Sequence, residues 1–289
     1  MNTARTGILL AFATVFLWST LPTGLKLCVT RVDAFSATVC IGFFATLTLF
    51  VWIALRGKTR LIWPQFKQYP AYFPLTGIIG LGLQQILYLK SYELLPASQV
   101  VVLFYLYPLL MVVLSSVFFG EKTSWRSVVF ILTGFFGVYV LISQGTFIRI
   151  LLCAGVFTTL GASLAWALFS VLIKQRSFDI EIGMFLFTLF GLLSLAAMIP
   201  VFGFSVSIYP AELLGILYLA VFPTALAFVT WNRALTLTST AMCSCIALAT
   251  PLLAMVIIGV VLREPFHPSY AAGMILIVGS VLLNLRYGR

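Results

Sequence analysis

The side chains in this sequence best suited to hold a small molecule are aromatic, amide and basic, and they lie inside apolar stretches. Trp18, Tyr88, Tyr105, Trp166 and Trp231 offer π-faces, and Gln84, Gln85 and Gln99 offer amide donors and acceptors; Tyr107, Tyr218 and Asn232 belong to the same set. Polar groups in hydrocarbon are costly unless partnered, so their presence asks for a protein-lined or wet environment. Gln84 and Gln85 are adjacent, about 100° apart on a helix, which turns at least one of them toward protein or water. Such a set would hold a polar solute by stacking and hydrogen bonding. Lys26, Lys90, Lys174 and Arg233 are the pathway charges. They either reach headgroups with long stems or attract carboxylates and phosphates.

The acids tell a different story. Asp33, Glu93, Glu121, Asp179, Glu181, Glu212 and Glu264 all fall at the ends of apolar runs or between them, so no carboxylate is placed at mid-depth to relay a proton or hold Na⁺. Glu121 and Glu264 stand beside Lys122 and Arg263, where each could anchor a loop by an ion pair or latch a gate. Pro108 and Pro251 fall in mid-run, where each removes a helix hydrogen bond and predicts a hinge. Pro22 and Pro223 could act likewise. No Ser, His and acid arrangement and no carboxylate pair is present, so an enzyme is not expected, nor is a cofactor. Cys243 and Cys245 are one residue apart and the single histidine, His267, is distant, so no metal site is expected. GIIGLG at 77–82 lies inside an apolar run without the strand and acid of a nucleotide fingerprint, and reads as close helix packing. Gly134 with Gly137, and Gly273 with Gly279, read the same way.

The elements that position these residues follow from composition. Of 289 residues 62% are apolar in type and 8% charged, against roughly 45–50% and about 25% in soluble domains. That excludes a soluble globular protein, and the solvent must be a lipid bilayer. Ten apolar segments of membrane-crossing length can be drawn: Gly7–Cys28, Ala34–Leu55, Ala71–Leu89, Ala97–Phe119, Trp125–Ser143, Ile150–Ile173, Ile182–Phe204, Ala211–Trp231, Thr240–Leu262 and Ser269–Leu285. The first lacks a cleavage site and reads as a span rather than a leader. The formal net charge of +10 reflects membrane topology rather than nucleic-acid binding. Alternating connections carry 12 and 5 Lys and Arg, the larger tally with both termini, which places both ends in the cytoplasm of an inner, or plasma, membrane. Five cysteines in apolar surroundings form no disulfide framework.

Self-comparison gives the organisation. Tyr88 and Trp231, Lys90 and Arg233, Pro108 and Pro251, and Glu121 and Glu264 are each 143 residues apart, while Trp18 and Trp166, and Lys26 and Lys174, are 148 apart. Each repeat therefore holds five spans, 7–143 and 150–285, and an odd number inverts the second repeat across the membrane. The expected fold is an all-α integral membrane protein, ten transmembrane helices as two inverted five-helix repeats. Inverted repeats accompany alternating access in transporters. With no mid-depth acid, facilitated diffusion or exchange is favoured over proton antiport.

The stretches WSTLPTGLK, LLPASQVVVLFYLYPLL, GEKTSW and ALATPLLAMVIIGVVLREPF resemble the drug/metabolite transporter superfamily, EamA type, over nearly the whole chain. The resemblance implies a central cavity built by spans 1, 3, 4, 6, 8 and 9 and a small-molecule substrate. It does not cover the start of the ninth span, where LTLTSTAM replaces a Pro-containing start. The expectation is export or facilitated movement of a small polar or zwitterionic metabolite such as an amino acid, by a monomer or weak homodimer. The alternative is a nucleotide-like or other anionic metabolite; an intramembrane enzyme or a sensor is remote.

Overall fold

The computed structural model describes residues 3–28, 32–144, 146, 152–205, 209–263 and 268–287. Among these, every regular element is a helix, and ten helical spans are long and apolar enough to cross a membrane. They are Thr3–Leu27, Ala34–Leu55, Tyr72–Leu94, Gln99–Phe119, Trp125–Ser143, Ala154–Leu172, Ile180–Ala197, Glu212–Leu237, Thr240–Val261 and Pro268–Tyr287, called spans 1 to 10 below. Spans 3 and 8 run further than hydropathy indicates, by five and six residues. Their last turns carry Lys90 with Glu93 and Arg233, polar groups that pair with acids and stay helical. Span 7 stops earlier, at a turn on Met198 followed by the short helix Ile199–Phe202.

Several of the residues that punctuate the spans act as caps. Asp33 accepts from the Ser36 N–H at 2.9 Å and starts span 2. Asp179 accepts from Glu181 and Ile182 and starts span 7. Ser124 and Ser239 do the same for spans 5 and 9. Each satisfies backbone donors a helix leaves open at its N-terminus.

Lipid tails are as apolar as leucine, so burial alone does not hold such helices together; close approach of small residues and interhelical hydrogen bonds do. Spans 5 and 10 meet at Gly137 and Gly273, where a Cβ on either would fall 3.0 or 2.9 Å from the other's carbonyl oxygen. Gly134 packs on Ser280, whereas Gly279 has nothing within 4 Å and takes no part in this contact. Span 3 is pressed on spans 6 and 7: a Cβ at Gly77, Gly80 or Gly82 would collide with Phe187, Phe169 or Ser194. The GIIGLG stretch is thus a packing surface. Large apolar side chains such as Phe16, Phe43, Leu132 and Ile275 point outward instead.

Candidate substrate pathway

Backbone irregularities are repeat-matched. Span 4 breaks at Tyr105–Leu106, between helices Ala97–Phe104 and Tyr107–Phe119, and span 9 breaks at Leu248, between Thr240–Ala247 and Ala249–Val261. Tyr105 and Leu248 are 143 residues apart, the offset of the repeat. Pro108 and Pro251 sit just after the breaks, as second and third residues of the following helices. The missing proline N–H frees a carbonyl four residues earlier. For Pro108 that carbonyl belongs to Phe104, and the Ser163 hydroxyl of span 6 donates to it at 3.0 Å. Span 1 also contacts span 9, with Ser19 donating at 3.0 Å to the carbonyl of Thr250, the residue before Pro251. Spans 3 and 8 each contain a π-helical segment, Ile78–Leu83 and Ala220–Leu226. These also fall on the 143-residue offset, with Gly80 opposite Pro223. π-Segments are uncommon and concentrate at functional sites.

The aromatic groups gather in two sets. Trp18 lies between Trp166 and Trp231, with ring centroids 5.6 and 5.1 Å away. The Trp231 indole N–H donates to the Ser170 hydroxyl at 3.2 Å. Trp166 and Trp231 are buried and Trp18 is half-buried. The repeat mates Trp18 and Trp166 therefore touch where the two halves meet. The second set runs from the far end of span 3 to the break in span 4. Tyr88 and Tyr92 share a hydroxyl hydrogen bond of 3.0 Å, Tyr88 lies 4.6 Å from Phe104, and Phe104, Tyr105 and Tyr107 follow within 5.5–6.4 Å of one another.

On the face carrying the N-terminus the bundle is latched. Glu121, just after span 4, is ion-paired to Lys174, just after span 6. Ser115 donates to the other Glu121 oxygen at 2.6 Å, and Lys174 donates to the Thr240 hydroxyl of span 9 at 3.0 Å. Ser115 and Thr240 close the ring at 3.1 Å. Burial opposes ionisation of Glu121, but the bonds from Lys174 and Ser115 outweigh it and hold the carboxyl below its usual value. Above this ring every residue of Thr240–Leu248 is buried, while the far half of span 9 is half-buried to exposed from Met255 onward.

A second knot on that face was invisible as a site in the sequence. Glu181, 2% exposed, receives Arg56 at 3.3 Å, Arg233 at 3.1 Å and Lys58 at 3.0 Å, and Lys58 also reaches Asp179 at 2.7 Å. Gln65 exchanges two hydrogen bonds with the Asp179 backbone. The knot ties the loop after span 2 to spans 7 and 8. Its hydrogen bonds to Asp179 and Glu181 push Lys58 up, and Lys58 in turn holds Asp179 down against the effect of burial.

The sequence model of the EamA-like transporter family matches residues 5–143 and 153–286. The chain belongs to the EamA-like transporter family. No curated protein matches the sequence. A solved crystal structure is 22% identical with a TM-score of 0.86, covering 99% of this chain and 98% of its own, and so shares the fold. For this EamA-like chain the architecture is therefore two inverted five-helix repeats in a multi-pass membrane protein.

Of the residues singled out in the sequence, the EamA-like fold brings Trp18, Trp166 and Trp231 into one cluster and Tyr88 and Tyr105 into another. Gln84 is buried, and Gln85 and Gln99 are half-buried. Asn232 is buried, its amide donating to the Met184 sulfur at 3.1 Å and its carbonyl oxygen unpartnered. The basic residues are spread apart. Lys90 pairs with Glu93 on its own helix at the surface, Lys174 with Glu121 and Arg233 with Glu181, while Lys26 is exposed at the far end of span 1. Glu121 takes Lys174 as its partner rather than the adjacent Lys122. Glu264 lies outside the described residues. Cys40, Cys153, Cys243 and Cys245 are free, and no group of metal-ligating residues occurs among the described residues.

Proposed function

We propose that this EamA-like transporter moves a small polar or zwitterionic metabolite, with amino acids the leading class, as an exporter or facilitator in the inner membrane. The observation that carries the reading is the contact of Trp18 with its repeat mate Trp166 and with Trp231, at the junction of two inverted repeats. A solute bound there touches both halves. Aromatic faces, the nearby Tyr88 and Tyr105 and the amides of Gln84, Gln85 and Gln99 supply stacking and hydrogen bonds without net charge.

The breaks after which Pro108 and Pro251 stand are the hinges of the cycle, and the Glu121–Lys174 ring is the latch that closes the cytoplasmic end. Positive charge concentrated on that face supports the orientation, with both termini inside. On this reading the conformation is closed at the cytoplasmic end. Lys26 is the repeat mate of Lys174 and Glu264 that of Glu121, which assigns the two the matching role at the opposite end. The pairing of Lys90, Lys174 and Arg233 with carboxylates argues against an anionic substrate, since it leaves little free positive charge on the path.

Counterflow of labelled amino acids in liposomes holding the purified protein, run against a panel of nucleotides and organic anions and with or without a pH gradient, tests the reading. Amino-acid exchange indifferent to the gradient is expected. Exchange confined to nucleotides would overturn the substrate class, and gradient-driven accumulation would overturn the uncoupled mechanism.

A further inference from the structure

The seam between spans 5 and 10 differs at its two ends. On the face carrying the N-terminus it opens as a cleft of about 420 Å³ lined by Trp125, Arg126, Val129, Phe130 and Tyr287. On the other face the repeat-related positions are closed: Gln144, the mate of Tyr287 at the 143-residue offset, donates to the Tyr270 hydroxyl at 3.0 Å. The mate of Arg126 is Ser269. The mates of the lining residues Arg126 and Tyr287 are therefore both uncharged.

Three features describe what fits there. The Arg126 guanidinium lies over the Trp125 ring at 5.9 Å, and that of Arg286 over Tyr287 at 5.1 Å. Neither arginine has a carboxylate within ion-pair distance among the described residues. Below them Val129, Leu132 and Phe136 point outward on successive turns of span 5, an apolar track leading from the cleft toward the membrane centre. The walls are fixed, because Ser127 donates to the Asn284 side chain at 2.8 Å across the seam. Unpaired cations at the headgroup level, amphipathic rings at the interface and an apolar track below them match a phosphate that carries acyl chains.

We infer that the cleft between the ends of spans 5 and 10 is a binding site for an acidic phospholipid, its phosphate held by Arg126 of the cleft wall with Arg286, stacked on the lining Tyr287, as the second cation, and one acyl chain laid along Val129, Leu132 and Phe136. The track distinguishes this ligand from a free phosphate, which would have no use for it. The mate positions of Arg126 and Tyr287 hold the uncharged Ser269 and Gln144, and the site is assigned to the leaflet on the N-terminal side, where the cleft lies.

The test is native mass spectrometry of the full-length protein in micelles containing phosphatidylglycerol or phosphatidylcholine of matched chains. The wild type is expected to retain phosphatidylglycerol in preference. Arg126→Gln with Arg286→Gln should lower that retention by about five-fold per arginine, while Arg60→Gln with Lys67→Gln, on the exposed loop of the same face, should leave it unchanged. Val129→Trp, which fills the cleft and keeps both charges, should also lower it. Equal loss in the loop pair would reduce the effect to general surface charge and overturn the site. Unchanged retention in Val129→Trp would place the lipid elsewhere, and would decide the matter even if the arginine pair failed to fold. Displacement by inorganic phosphate as effective as by added phosphatidylglycerol would overturn the lipid assignment.

Discussion

Spans 4 and 9 break at matching positions, yet the residues at the two breaks differ. At the first, Phe104, Tyr105 and Tyr107 form part of an aromatic ladder that reaches Tyr92. At the second, Cys243, Ser244, Cys245, Ala247 and Leu248 are small or medium side chains without exposure. Symmetry is kept in the backbone and given up in the side chains; under the proposed function the first suits two equivalent hinges and the second a solute gripped in one orientation. The same division holds for the π-segments, with Gly80 in one and Pro223 in the other.

That comparison can be pressed at several points. The largest effect is expected at Gly80→Ala, whose Cβ would lie 2.3 Å from Phe169. Overpacking there should cost about 3 kcal/mol and lower the folded fraction in a thermal-denaturation assay, while Gly279→Ala, with open space around it, should be neutral. If Gly80→Ala were as stable as the wild type, span 3 would not be held against span 6 as described. Making the breaks alike comes next. Tyr105→Leu should raise KM for the transported solute by about tenfold with little change in maximal rate, from the loss of about 1–1.5 kcal/mol of ring contact. Leu248→Tyr, at a position with no exposure, should instead lower folded yield. An unchanged KM in Tyr105→Leu would remove the tyrosine ladder from the binding surface.

The latch offers a smaller and more local readout. Cys243 is fully buried just above the ring, so a membrane-impermeant maleimide should label it slowly. Glu121→Gln should raise its labelling about tenfold, as loss of about 1–2 kcal/mol of charge-assisted bonding would allow. The exchange Glu121→Lys with Lys174→Glu should restore much of the protection. Equal labelling in all three proteins would deny the pair a gating role. The least effect is expected from pH. Because the Glu121 pKa is lowered, its contribution is present above the ordinary carboxylate value of about 4.3 and is lost as pH falls through the depressed one. Counterflow at equal pH on both sides should therefore be insensitive to Glu121→Gln as a function of pH between 5.5 and 8; a wild-type titration in that window that the variant abolishes would show the opposite.

How much of this was legible follows from what each signal measures. Span number and inversion come from hydropathy and from a register of unusual residues, both of which survive in one dimension. The helix breaks were readable because proline acts on its own backbone. The π-segments were not, since α- and π-helical turns have the same apolar composition and the mates Gly80 and Pro223 share no chemistry. Pairings across the chain were also hidden. Lys122 is next to Glu121 in sequence, but the side chain that arrives in space is Lys174, 53 residues away. Glu181 read as one more acid at a span end, and only the approach of Arg56, Lys58 and Arg233 from two other segments makes it a centre.

The cross-repeat bonds also bear on how the molecule is made. Phe104 is translated 59 residues before the Ser163 that caps its carbonyl, whereas Ser19 is already in place when the Thr250 carbonyl is made. At about 5–20 residues per second, the wait of the Phe104 carbonyl is roughly 3–12 seconds. During that interval a broken helix stands in the bilayer with an uncapped carbonyl, which hydrocarbon does not tolerate at low cost. The nascent first half thus needs water, an insertase surface or a neighbouring helix to shelter it until the second half has been threaded in.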